Sequence, residues 1–161
     1  VYLYFKNKNE LLKQLVEKIK LPIIKYITEI KDSKISVAEK FKKIFFRLLS
    51  DVESNIGFVR ILFRAVELDE ELKIYLRKDD QSTIKIFKDI LKEGIRNNEI
   101  SAINPDYAAK IIFASMIYMV RERGEGFSKY MPVKKEVDSF IGLIKYGFTN
   151  QDRKEAKKIE E

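Results

Sequence analysis

The residues of this chain whose types and spacing could do chemistry stand at its start, Tyr2-Leu3-Tyr4-Phe5-Lys6-Asn7-Lys8-Asn9-Glu10-Leu11-Leu12, and their chemistry is binding. An aromatic, apolar helix end stops at Phe5, and a second helix begins almost at once. Asn7 is a good N-cap, and Glu10, three residues on, completes a capping box. Lys8 then occupies the first helical position, where its charge opposes the helix dipole. A lysine is favourable there if the helix N-terminus faces an anion, on which free N–H groups and the ammonium converge. A DNA phosphate flanked by Tyr2 or Tyr4 fits that picture. A capped helix carrying one badly placed surface lysine fits it as well.

Reactive chemistry is missing elsewhere. The chain has neither cysteine nor histidine, which removes thiolate and imidazole metal sites, disulfides and histidine acid–base catalysis. No phosphate-cradling loop, dinucleotide fingerprint or nucleophile elbow is present, and Gly124-Glu125-Gly126 reads as a helix terminator. Carboxylates alternate with lysines on polar helix faces, as solvated ion-pair partners do. The expectation is a protein that is not an enzyme and takes no metal or cofactor.

A chain of 161 residues, 45% hydrophobic and 35% charged, is long enough for one domain with a sizeable core and too apolar for disorder. Its longest nearly apolar run, Ile111 to Val120, is far short of the roughly 20 residues that span a bilayer. The formal charge of +7 suits a nucleic-acid partner, although lysine-rich helices also carry such charge for solubility.

The periodicity is helical throughout. Leu12, Leu15, Ile19, Ile23, Ile27 and Ile30 form one stripe through Lys31, with Pro22 inside it as an expected kink. Lys31 to Ile35 is a connector. Ser36 with Glu39 is a second capping box, opening a helix whose face is Val37, Phe41, Ile44, Phe45, Leu48, Leu49 and Val52. Asn55 and Gly57 end that helix. The stretch from Gly57 to Leu68 is apolar nearly all round, as in a helix buried mid-bundle, with Arg60 and Arg64 on its one polar strip. Asp69 caps the next helix, which runs to about Asn97 across the polar stretch Arg77 to Ser82. Asn98 suits a left-handed turn, and Asn104-Pro105-Asp106 restarts the chain. The helix from Pro105 to about Arg123 is apolar on two stripes: Ala108, Ile112, Ser115 and Met119, and Ala109, Phe113, Met116 and Val120. A final helix runs from about Val133 to Thr149, and Gln151 to Glu161 is a charged, non-periodic tail. Two terminal helices too apolar for one interface suggest a second copy of the chain as partner. Both stripes packing within one monomer is the alternative.

The opening stretch resembles the signature that ends the DNA-binding head of tetracycline-repressor (TetR) family regulators: tyrosine, one residue, an aromatic, Phe, a polar pair, Lys, an acidic pair and two leucines. Asn9 departs from the usual acidic residue. Leu91 to Ile100 followed by Asn104 to Ala109 resembles the turn before the family's first dimerisation helix, with Asn98 in place of a glycine.

The resemblance implies an all-α, multi-helix bundle of the C-terminal, ligand-binding and dimerisation type, preceded by the tail end of a helix-turn-helix. Residues 1–7 would close the head, with its base-reading helices upstream of Val1. Residues 8–150 would form the effector-binding and dimerisation domain, and 151–161 a polar tail. Tyr2 and Lys8 match the family's phosphate-contacting positions, with Tyr4 and Lys6 beside them; such contacts position a protein on DNA and carry no sequence information. An effector pocket would be walled by Phe45, Leu49, Phe58, Leu62, Phe87, Phe113 and Ile117, suiting a small hydrophobic or amphipathic ligand such as a fatty-acyl compound. The homodimer would form through Ala108, Ile112, Ser115, Met119, Phe140, Leu143, Ile144 and Tyr146. The implied function is a cytoplasmic repressor of transcription, with operator DNA as partner and no membrane, released when the effector favours another head spacing. Pro22 would be its hinge. A helical dimeric interaction module, or a lipophilic-ligand carrier without DNA binding, is the alternative.

Overall fold

Helix starts are decided by short polar side chains that satisfy N–H groups the helix itself leaves free. In the computed structural model, which describes residues 6–126 and 130–147, Asn7, Ser36, Asp69 and Asn104 each accept a bond from the N–H three residues on. They open four of the six helices among the described residues: α1 (Lys8–Asp32), α2 (Val37–Ser54), α4 (Glu70–Arg96) and α5 (Pro105–Glu125). The other two are α3 (Ile56–Leu68) and α6 (Val133–Tyr146). Tyr2, Tyr4 and the tail from Gln151 lie outside the described residues.

At both capping boxes the N-cap bond forms, while glutamates bind backbone N–H groups other than the expected ones. The Glu10 carboxylate accepts the N–H of Lys6 at 2.8 Å and not that of Asn7. At α2, the carboxylate of Glu99, from the turn after α4, accepts the Val37 N–H at 2.8 Å, tying the start of α2 to the end of α4. That turn is built as expected, with Asn98 left-handed at φ 58°. α4 continues unbroken through its polar middle.

The α2 stripe is the centre of the core. Phe41, Ile44, Phe45 and Leu49 are fully buried there, with Leu48 half-buried. Phe41 meets Phe87 of α4 edge-on at 5.3 Å, and Phe45 stacks on Phe140 of α6 at 4.7 Å, both favoured ring geometries. Ile27 of α1 and Ala109, Ile112, Phe113, Met116 and Met119 of α5 complete the same cluster. The first halves of α1 and α4 lie beyond it, where Leu12, Val16 and Leu72 are buried apart from the main cluster.

α3 overturns one expectation. Of its apolar residues only Val59 is buried, while Ile61 and Leu68 are exposed; the helix lies on the flank of the bundle, against α4 and α5. Its close approach to α5 depends on Gly124, where a Cβ would stand 2.5 Å from the Phe63 ring. Gly124 is thus a packing position inside α5, and Gly126, with φ 68°, is the terminator.

Candidate functional site

Lys6, just before α1, and Lys8, its first residue, face solvent, with Asn7 fixing the helix start at 2.9 Å from the Glu10 N–H. From there α1 is clipped to the start of α4 along one seam. The Asn9 amide donates to the Asp69 carboxylate. One turn on, the Lys13 ammonium pairs with Glu71 and lies over the Tyr75 ring, 5.5 Å from its centre. A turn later the Tyr75 hydroxyl donates to Glu17. An acid in place of Asn9 would face the Asp69 carboxylate. The Leu72 N–H above all, and then the Asn9 amide, hold the Asp69 carboxyl below the usual carboxylate range, because both bonds favour the ionised form.

The seven pocket candidates divide. Phe45, Leu49, Phe87 and Phe113 are interlocked in the main core cluster. Phe58 and Leu62, on α3, are half-buried, and Ile117 is 40% exposed. The set thus spans filled core and flank: helical periodicity marks inward faces and cannot tell a filled core from a lined pocket. A groove of about 490 Å3 opens elsewhere, between α1, α2 and α6.

The dimer candidates divide too. Ile112 and Met119 point into the core, and Ala108, Ser115, Phe140 and Ile144 are half-buried, leaving only Leu143 and Tyr146 exposed. The outward stripe of α5 is instead Tyr107, Ile111, Ala114 and Tyr118. α5 is apolar on three sides, so its periodicity could not single out the face left over.

One residue that the sequence reading passed over is a structural hub. Arg123, fully buried near the end of α5, pairs with Glu53 of α2 at 3.3 Å and with Glu136 of α6. It also donates to the carbonyls of Met119 at 3.3 Å and Met131 at 2.9 Å, and lies 4.9 Å from the centre of the Tyr130 ring. A buried charge so fully partnered locks three elements together. Its only sequence signal is a basic residue in the last turn of a helix. Among the described residues no carboxylate cluster could hold a metal ion, and no helix is long and apolar enough to cross a membrane.

No protein-family model matches the chain, and no curated protein is similar to it. Two solved structures are. A Clostridium perfringens protein described as a fatty acid metabolism regulator is 24% identical, with a TM-score of 0.74. The transcriptional regulator FadR from Bacillus subtilis, solved in complex with stearoyl-CoA, is 26% identical, with a TM-score of 0.73. Each superposition covers 92% of this chain and 80% of the other. The chain shares the fold of these two regulators. Both neighbours are described as regulators.

Proposed function

We propose that the chain is the regulatory body of a ligand-responsive transcriptional regulator of the tetracycline-repressor type, acting as a repressor that leaves its operator when a fatty-acyl thioester or similar amphipathic ligand binds. The observation that carries this reading is the likeness, along 92% of the chain, to a transcriptional regulator that itself holds stearoyl-CoA. Residues 8–150 form the effector-binding and dimerisation unit in this reading. Residues 1–7 close a head that positions the protein on phosphates through Tyr2 and Lys8, beside Tyr4 and Lys6. The acyl chain enters beside α3, whose Phe58 and Leu62, with Ile117 opposite, are the pocket candidates with room to move. Phe45, Leu49, Phe87 and Phe113 form the packed floor.

The homodimer pairs the outward stripe of α5 with the exposed end of α6. Five large apolar side chains, Tyr107, Ile111, Tyr118, Leu143 and Tyr146, are at least 40% exposed on these two consecutive helices, and exposed apolar surface of this kind marks interaction sites. In the dimer the two heads meet half-sites about 34 Å apart.

The test is fluorescence anisotropy of the full-length protein on DNA from upstream of its own gene, in a salt series, with and without stearoyl-CoA. Tight, specific binding that the ligand reverses is expected. DNA binding that no acyl-CoA reverses would remove the ligand class, and no specific DNA binding would leave a helical carrier or interaction module. Ile111→Glu with Tyr118→Glu should leave a folded monomer by sedimentation; an undiminished dimer would place the interface elsewhere.

A further inference from the structure

The groove between α1, α2 and α6 has a composition that neither the regulator reading nor the acyl ligand accounts for. Its floor is apolar and partly aromatic: Tyr26 from α1, Val137 from α6 and, on α2, Phe46. Phe46 is 47% exposed, whereas its neighbours Phe41 and Phe45 are fully buried. Four cations border that floor, Lys42, Lys43 and Arg47 of α2 and Lys134 of α6, against two carboxylates, Glu39 and Asp138.

The charges are held in place. Lys42 and Lys134 converge on Asp138, at 3.3 and 2.7 Å, from different helices. Lys134, followed by Lys42, holds the Asp138 carboxyl below the usual carboxylate range, so it stays ionised and keeps both ammonium groups at that edge. Arg47 bonds Asp51 at 2.8 Å and lies 5.2 Å from the centre of the Tyr26 ring. Lys43 has no ion pair among the described residues and is exposed. Solvated ion pairs of this kind are individually weak, so a multiply charged anion can draw on the lysines without a large loss.

We propose that this groove is a nucleotide site: a planar base lies on the open face of Phe46, beside the Arg47–Tyr26 pair, while phosphates meet Lys43, Lys42 and Lys134. Phosphate suits lysines that act as point charges, and aromatic floors accept any base by stacking. The volume of about 490 Å3 lies within the roughly 300–1,000 Å3 of small-molecule pockets. The chemistry is shared by a free nucleotide and by the nucleotide end of a coenzyme A thioester. The site does not depend on the regulator reading, since its occupancy is measured without DNA.

The experiment is calorimetric titration of the full-length protein with ADP and, in parallel, with coenzyme A bearing no acyl chain, in magnesium-free buffer. Saturable binding of ADP is expected. Phe46→Ala and Lys43→Glu, both at exposed positions, should each weaken it about tenfold or more, as loss of one stacked base or one charge contact does. Glu39→Gln, which removes a carboxylate from the rim, should tighten it about two- to threefold; fold damage could not produce that gain. Equal affinity for ADP and coenzyme A assigns the site to a nucleotide alone, and much tighter coenzyme A binding, lost in the same variants, assigns it to the thioester carrier. No heat with ADP, affinity unchanged in both weakening variants, or equal binding of adenosine and ADP would overturn the proposal. So would an octanucleotide that outcompetes ADP with a steep salt dependence.

Discussion

The two ends of this bundle are held by different physics. Around α2, α5 and α6, a contiguous apolar cluster with two favourable ring pairs is locked further by Arg123. Around the first halves of α1 and α4, a few apolar side chains are buried and a seam of polar contacts does the joining. Dense apolar packing is stiff and changes in discrete steps, whereas exposed polar clips are individually weak and exchange readily with water. The base is thus suited to hold a dimer, and the seam to let the start of α1 move. In the proposed regulator, that start is where the head attaches.

Truncation inside the base should have the largest effect. Phe41→Ala removes a fully buried ring that meets Phe87 and should cost about 3–5 kcal/mol by chemical denaturation. Leu72→Ala, equally buried but outside the main cluster, should cost about 2–3 kcal/mol, because its thinner surroundings can collapse into the space. If Leu72→Ala costs as much as Leu49→Ala, the same truncation inside the base, the two ends are packed alike and the contrast is false.

Arg123→Ala comes next, at about 3 kcal/mol, since it strands Glu136 and the Met131 carbonyl near the end of α5. Adding Glu136→Gln should return part of that loss, because the stranded charge goes with it. A strictly additive double variant would mean that Arg123 acts through packing and not through its ion pair.

How much of this was legible in the sequence follows the range of the interactions. The caps at Asn7, Ser36, Asp69 and Asn104 and the α2 stripe were readable because each is decided within a few residues. So was the left-handed turn at Asn98. The burial of α3 was misread because an all-apolar helix is equally consistent with a central and a flanking position; only its packing partners decide. The pocket and dimer sets mix core side chains such as Phe45, Ile112 and Met119 with half-buried and exposed ones for the same reason. Asn9–Asp69 and Arg123–Glu53 join residues far apart in sequence, so no local pattern could announce them.

The seam itself should respond modestly in stability and by pH. Asp69→Ala removes both the cap of α4 and the acceptor for Asn9 and should lower stability measurably at neutral pH, by less than the truncations above. The Asp69 carboxyl is held below its ordinary value in the fold, so its contribution is fully present above the unfolded value of about 3.9 and is lost as the pH falls through the lower folded value. The gap between the parent protein and Asp69→Asn should therefore shrink only below about pH 4. A gap that closes between pH 5 and 7 would point to another group.

Pro22 sharpens the comparison most at the smallest cost in stability. It lies exposed on α1, just where the helix passes from the seam to the side chains Ile23, Ile27 and Ile30 that pack on the base. Proline there cannot donate to the carbonyl of Lys18, so the helix lacks one rung between its two differently held halves. Pro22→Ala restores that rung and should stabilise the body by about 0.5–1 kcal/mol, the net worth of one backbone bond. If the two halves move independently at this point, stiffening should also raise the acyl-CoA concentration needed to release DNA from the full-length protein. A stabilised variant with an unchanged release curve would separate the two effects and leave Pro22 as a bend that merely follows the core.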